Sequence, residues 1–289
     1  MGSSNSDYVL YQYTPNLVCA VIFVALFALT TTFHLYQRIR TCAKYFNPFI
    51  VGGIFQIIGY AARAVSHFHT TSTTLYAMQT LLILLAPTLY AASIYMVLGR
   101  VITFLHGDHL SYVPVRYMTK IFVFGDVLSF ILQGAGGGVM SSGSGSAKAL
   151  VAGQWIIVAG LCVQLVFFGA FLITSMLFHY RIVRSPTHQS ENLIDIGGLI
   201  PRDWRGLLFA LYTVSVLILV RSIYRVIEFT QGNSGYVISN EVFLYVFDSA
   251  MMFLVMLVMN VFHPSIVLRI DQRLGTTESK SELPRGETV

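Results

Sequence analysis

The chain has 289 residues, of which 55% are hydrophobic and 11% charged, with a mean hydropathy of +0.68. Soluble domains carry roughly 25% charged residues, so this composition cannot wet a globule; its 21 Phe and 16 Tyr exclude a disordered chain. The net charge of +5 comes from basic residues scattered singly between apolar runs, which excludes nucleic acid as a partner and fits loops beside a membrane.

A lipid-spanning helix needs about 20 mostly apolar residues. Seven runs approach that length: 16–36, 48–66, 76–99, 120–140, 151–178, 207–227 and 242–262. The first, third and fifth are the clearest. Gln56 and Arg63 interrupt the second, and Arg221 and Arg225 the sixth. The runs predict an all-α polytopic membrane protein, a bundle of seven transmembrane helices spanning 16–264, with tails over 1–15 and 265–289. No basic region precedes the first run, which therefore reads as a signal anchor. Cys19, Cys42 and Cys162 contain no C-x-x-C pair, so neither a disulfide framework nor a zinc site is expected.

Orientation follows from the Lys and Arg of the links. One set of links holds Arg38, Arg40 and Lys44; Arg100, Arg116 and Lys120; and Arg181, Arg184, Arg202 and Arg205, with Arg269, Arg273, Lys280 and Arg285 in the tail. The other set holds only Lys148. The expectation is an outside N-terminus and a cytosolic C-terminus. The longest cytosolic link, within 179–206, and the C-terminal tail are then where cytosolic partners would dock.

Ionisable groups inside a bilayer cost roughly 2.5–3.5 kcal/mol each at the helix centre, so those present carry information. Arg221, Arg225 and Glu228 share a face of the sixth helix at i, i+4, i+7, and Gln56, Tyr60 and Arg63 share one on the second. Glu241 and Asp248 lie on one face of the seventh, and Asp126, Ser129 and Gln133 on one face of the fourth. Three arginines and three carboxylates fall at a similar depth in the outer third, while Asp126 lies nearer the cytosol. The expected arrangement is a buried network of ion pairs facing the bundle interior. Two uses stand open: glue between helices, or the wall of a polar cavity that recognises an amphipathic headgroup.

Pro87 lies inside the third run and frees a carbonyl one turn earlier. Residues 134–138, Gly-Ala-Gly-Gly-Gly, end the fourth run with a G-x-x-x-G spacing that suits close helix packing or unwinding. No Lys-Ser/Thr follows it, so it is not a phosphate loop. His67, His69, His106, His109, His179 and His263 fall in links or at helix ends, and only His34 is embedded. No metal cluster, cofactor or catalytic set is expected, and the chain reads as a non-enzyme. Met251, Met252, Met256 and Met259 read as adaptable packing.

The chain carries Gly59-Tyr60-x-x-Arg63, Leu85-Ala86-Pro87, Ala91-Ala92-Ser93-Ile94-Tyr95-Met96, Arg100, Asp126 with Gln133, and Gly136-Gly137. Arg221-x-x-Tyr224-Arg225-x-x-Glu228, Gly232, Gly235, Glu241, Tyr245-x-x-Asp248 and His263-Pro264 complete the set, from about Tyr13 to Pro264. Together these elements resemble the fungal RTA-like family of lipid-translocating exporters, which includes aminocholesterol-resistance and sphingoid-base-export proteins. The resemblance implies seven spans and a role in moving lipids and in resistance to toxic lipids or drugs. Gln56 stands where the family pattern has an acid, which removes one partner for Arg63.

The expected function is therefore a plasma-membrane translocator or exporter of sphingoid-base- or sterol-like amphiphiles, its partners being membrane lipids. Substrate contacts are expected from Arg63, Tyr60, Arg221, Arg225, Glu228, Glu241, Asp248, Asp126 and Gln133. The alternative is a seven-helix, receptor-like sensor of lipid homeostasis with the same topology.

Overall fold

The computed structural model describes residues 16–69, 72–142, 147–187, 204–231 and 240–265. The expected tails 1–15 and 265–289, apart from Ser265, lie outside the described residues, as do 188–203 of the long link, Gly232 and Gly235. Each apolar run is a helix: α1 Leu17–Thr41, α2 Asn47–Ser66, α3 Thr73–Phe104, α4 Val115–Ser142, α5 Ala147–Arg184, α6 Trp204–Gln231 and α7 Glu241–Val261. All seven are long and apolar enough to cross a bilayer, and among the described residues there is no strand. The chain is an integral multi-pass membrane protein.

Most helices overrun the apolar runs that announce them. α5 has 38 residues, about 57 Å at 1.5 Å per residue, well beyond a 30 Å hydrocarbon core. Its first turn holds Lys148 and its last Arg181 and Arg184. A helix goes on through amphipathic turns whose charged heads reach water, whereas a hydropathy run stops at the first charge.

Local chemistry sets the ends. The Asn16 side chain caps α1 by accepting from the N–H of Val18 at 3.0 Å and of Cys19 at 3.2 Å. Cys42 closes the same helix with φ 54°, and Pro48 sits in the first turn of α2, where its missing N–H costs nothing. Ser72 caps α3.

Each helix packs on the next in sequence, α7 returns to α1, and α3 reaches across to α6. α3 is the most buried span, with Tyr90, Ile94, Tyr95, Leu98 and Val101 sealed among Phe49, Phe168 and Phe171; α1 and α4 are the least. Lipid tails are as apolar as leucine, so close van der Waals approach, rather than expulsion from water, holds such helices together. The α4–α5 seam shows it. A Cβ on Gly136 would stand 2.6 Å from the Gly153 carbonyl oxygen, one on Gly153 2.7 Å from that of Gly136, and one on Gly160 2.8 Å from that of Ser129. The glycine stretch 134–138 does pack closely, but it does not end the helix. α4 continues to Ser142, and Gly134 and Gly138 face open space; Gly136, between them, makes the contact.

The two ends of the bundle differ. At the end defined by Thr41, Arg40 lies over Tyr36, Arg100 over Tyr45, Arg116 over Tyr117, Arg181 over Tyr112, Arg184 over Tyr180 and Arg205 over Trp204. That is a belt of aromatic rings topped by guanidinium groups, suited to a membrane–water interface. At the end defined by Asn16, the arginines meet carboxylates instead.

Candidate functional site

The site begins where α1 starts. Gly59 lets α2 approach α3 so closely that a Cβ there would come 2.8 Å from Ile83 Cγ1. This holds the Gln56, Tyr60 and Arg63 face of α2 in the interior, and all three side chains are buried. Arg63 Nη2 donates to Glu241 Oε1 of α7 at 2.7 Å, and its Nε to the Tyr245 hydroxyl at 3.3 Å. The guanidinium also stacks 5.5 Å from the Tyr245 ring centroid. Glu241 accepts a forked bond from the Asn16 backbone N–H, 3.0 Å to each oxygen, and Tyr245 donates to the Asn16 carbonyl at 3.3 Å. A carboxylate at the first turn of α1 is favoured by the helix dipole there. Beneath this knot Phe23 stacks on Tyr245 at 5.5 Å and on Tyr60 at 5.8 Å, and Phe27 stacks on Tyr60 at 5.5 Å, giving an aromatic wall.

A second knot lies deeper. Asp248 accepts from Arg221 Nε on one oxygen and from Arg225 Nη2 on the other. Arg225 Nη1 donates to Glu228 at 2.8 Å, and the Tyr224 hydroxyl to the other Glu228 oxygen at 3.3 Å. One carboxylate is shared by two arginines, rather than one guanidinium gripping both oxygens. Arg221 Nη2 also donates to the Ile83 carbonyl at 3.0 Å. Ile83 is four residues before Pro87, so this is the carbonyl that the proline leaves without its helical N–H. An arginine of α6 thereby satisfies the helix defect of α3.

α7 has its own irregularity. Residues Tyr245–Ala250 form a π-turn that carries Tyr245, Asp248 and Ser249 inward together. Ser249 and the Tyr60 hydroxyl share a hydrogen bond, which ties α2 to α7 between the two knots. Glu241, Tyr245 and Asp248 already share a face at i, i+4, i+7, and Ser249 follows Tyr245 by four residues; the wide turn holds Tyr245, Asp248 and Ser249 buried together.

The three arginines and three carboxylates anticipated from sequence do meet, as two adjoining neutral clusters. Their exposures differ in a way that matters. The Asp248 side chain is 0% exposed and Glu241 16%, so Glu241 is the acid that a visitor from the Asn16 end reaches first.

Asp126 and Gln133 are not part of this assembly. Gln133 Nε2 donates to Ser129 at 2.8 Å and to Gln164 of α5 at 3.3 Å, and Ser129 donates to Gln164 at 3.4 Å. Asp126 lies apart on α4, facing Tyr95 of α3. The Gln56 amide is buried with neither end hydrogen-bonded, and Arg63 takes its acid from α7 instead. His34 is embedded as expected and meets the Met256 carbonyl at 3.0 Å, while Met256 Sδ accepts from Tyr90 at 3.2 Å. Among the described residues no group of three or more His, Cys, Asp or Glu is placed to hold a metal, and the three cysteines are free.

Sequence reasoning missed Asn16, Ser249 and Gln164. Asn16 acts through its backbone, which no side-chain pattern reveals. Ser249 lies four residues after Tyr245, a spacing that could have found it, and Gln164 is one of two amides, with Gln154, in the longest apolar run.

The family model described as "RTA1 like protein" matches residues 49–271. "Protoporphyrin uptake protein 1" of Saccharomyces cerevisiae is 36% identical over 90% of this chain and 94% of its own length. "Probable lipid transporter atnI" of Emericella nidulans is 30% identical over 90% of this chain and 68% of its own. "Sphingoid long-chain base transporter RSB1" of S. cerevisiae is 25% identical over 93% and 76%. No solved structure matches.

Proposed function

We propose that this chain, which belongs to the RTA1-like family, moves amphipathic lipids between the faces of a fungal membrane and binds their headgroups at Arg63 and Glu241. The observation that carries the proposal is the Arg63–Glu241 pair, its carboxylate 16% exposed at the rim of the bundle, above a wall of Phe23, Phe27, Tyr60 and Tyr245. A long-chain amine offers an ammonium group that competes with Arg63 for Glu241, while its tail lies along aromatic and aliphatic surface. The names of two relatives, one for lipid transport and one for sphingoid bases, fit that chemistry; substrates of the sphingoid-base or sterol type follow from it, with resistance to toxic lipids as the consequence.

Within this reading Tyr60 and Tyr245 orient the Arg63–Glu241 pair. Arg221, Arg225, Glu228 and Asp248 are the rigid floor: each Asp248 oxygen is already taken, and Arg225 Nε is a buried donor without a partner. Asp126 and Gln133 stand outside the headgroup contacts. The aromatic–arginine belt at the Thr41 end, together with the Lys and Arg bias of the links, supports placing that end in the cytosol and Asn16 outside. The plasma membrane is the proposed location, and the 179–206 link and the tail the docking places for cytosolic partners.

The test is a flip assay with the purified full chain in liposomes and a fluorescent sphingoid base. Movement faster than in protein-free vesicles, and slowed by Glu241→Gln, is the expected result. Movement equal to that of empty vesicles for this and other amphiphiles overturns the proposal, and saturable binding without movement favours the sensor reading.

A further inference from the structure

Among the described residues the bundle contains four carboxylates in its spans: Asp126, Glu228, Glu241 and Asp248. Three are held by arginine. Asp126 is not. Its side chain is buried on α4, 3% exposed, and neither carboxyl oxygen has a hydrogen-bond partner. The elements packed on α4 are α3 and α5. From α3 the fully buried Tyr95 hydroxyl faces it, close enough to interact but short of good hydrogen-bond geometry, and has no other partner. α5 brings phenylalanine: Phe167 packs on Gly125, and Phe168 and Phe171 lie 6.1 and 4.5 Å from the Tyr95 ring centroid. The titratable groups of α5 lie near its ends, apart from Cys162, which is exposed. On α4 itself, no titratable residue lies within one turn of Asp126.

A bare carboxylate at such a place costs several kcal/mol, and a structure retains it only where something neutralises it. No Lys, Arg or His among the described residues pairs with it. A metal cation wants about six oxygens. Here there are two carboxyl oxygens and one phenol hydroxyl inside a phenylalanine shell. The ligand that fits this set is the smallest cation. We propose that Asp126 is a proton-binding site, with Tyr95 as its hydrogen-bonding partner, separate from the arginine–carboxylate site.

The chemistry balances simply: the carboxyl binds a proton from water and releases it to water, with charge zero in one state and −1 in the other. The site shares α3 with the anchor of the other one. From Ile83, which holds Arg221, to Tyr95 is about 18 Å along the helix at 1.5 Å per residue, with Pro87 between them. The inference does not depend on lipid being the cargo.

The test uses dicyclohexylcarbodiimide on the purified full chain, with adducts located by peptide mass spectrometry. A protonated carboxyl adds across the carbodiimide C=N bond to give an O-acylisourea, which rearranges to a stable N-acylurea without a leaving group. The expected result is an adduct on Asp126 that declines severalfold as the pH is raised, is lost in Asp126→Asn, and is absent from Asp248 and Glu228, which are paired with arginine. Tyr95→Phe, which keeps the ring, should move the pH midpoint of labelling without abolishing it. Absence of an adduct on Asp126 at acidic pH, or labelling that falls on Asp248 instead, overturns the proposal. Wild-type labelling decides even if Asp126→Asn fails to fold. A labelled protein that moves no lipid retains this inference and loses only the headgroup reading.

Discussion

Arg221 and Pro87 should behave as one unit. Arg221→Met removes one of the two guanidinium groups on Asp248 and the donor to the Ile83 carbonyl. Breaking a buried pair by deleting one partner costs about 3–5 kcal/mol in soluble proteins, but Arg225 stays on Asp248 and polar contacts between membrane helices average about 0.6 kcal/mol, which pulls the figure down. The orphaned carbonyl adds about 1–3 kcal/mol. A loss of about 2–4 kcal/mol is therefore expected. Pro87→Ala supplies an amide N–H to the same carbonyl, so in the Arg221→Met background it should recover about 1 kcal/mol or more, while in wild type it offers a bond that Arg221 already makes. The assay is reversible unfolding in mixed micelles with rising dodecyl sulfate, followed by the fluorescence of Trp155 and Trp204. Additivity of the two substitutions to within about 0.5 kcal/mol would refute the shared carbonyl.

Other outcomes are equally specific. Gly136→Ala should loosen the α4–α5 seam by about 1–3 kcal/mol, because its Cβ would meet a backbone oxygen that cannot turn aside; Gly134→Ala and Gly138→Ala, facing open space, should be neutral or slightly stabilising in the same unfolding assay. Gln164→Leu strips acceptors from Ser129 and Gln133 and should cost about 1–2 kcal/mol, most of it recovered when Gln133 is also made apolar. Burial beside Phe46 pushes the His263 imidazole down from 6.5 to about 4. The unfolded chain then binds the extra proton between those values, so stability is complete above about pH 6.5 and falls as the pH drops toward 4. Melting curves at neutral and mildly acidic pH should show this slope, and His263→Phe should flatten it.

The seven spans were legible because hydropathy and length act residue by residue, and the bilayer enforces both. Arginines and acids at helical spacing were legible as partners for the same reason: Arg63, Arg221 and Arg225 have few places to go in hydrocarbon. The sequence did not reveal how the partners divide. That depended on the π-turn at Tyr245–Ala250 and on a backbone amide at Asn16, neither of which has a side-chain signature, and on Arg221 being the donor that reaches the carbonyl freed by Pro87. The G-x-x-x-G spacing announced close packing but not which side of the helix meets a neighbour; Gly136, between the pair, makes the contact.

The claim on which the functional account turns is that a headgroup enters between Arg63 and Glu241. An experimentally determined structure of the full chain in a lipid nanodisc, with a long-chain amine added, tests it most directly. The account predicts the ammonium group hydrogen-bonded to Glu241, Arg63 turned aside, and the tail along Phe23 and Tyr245. An amine seated elsewhere, with the Arg63–Glu241 pair intact beside an empty rim, would contradict it.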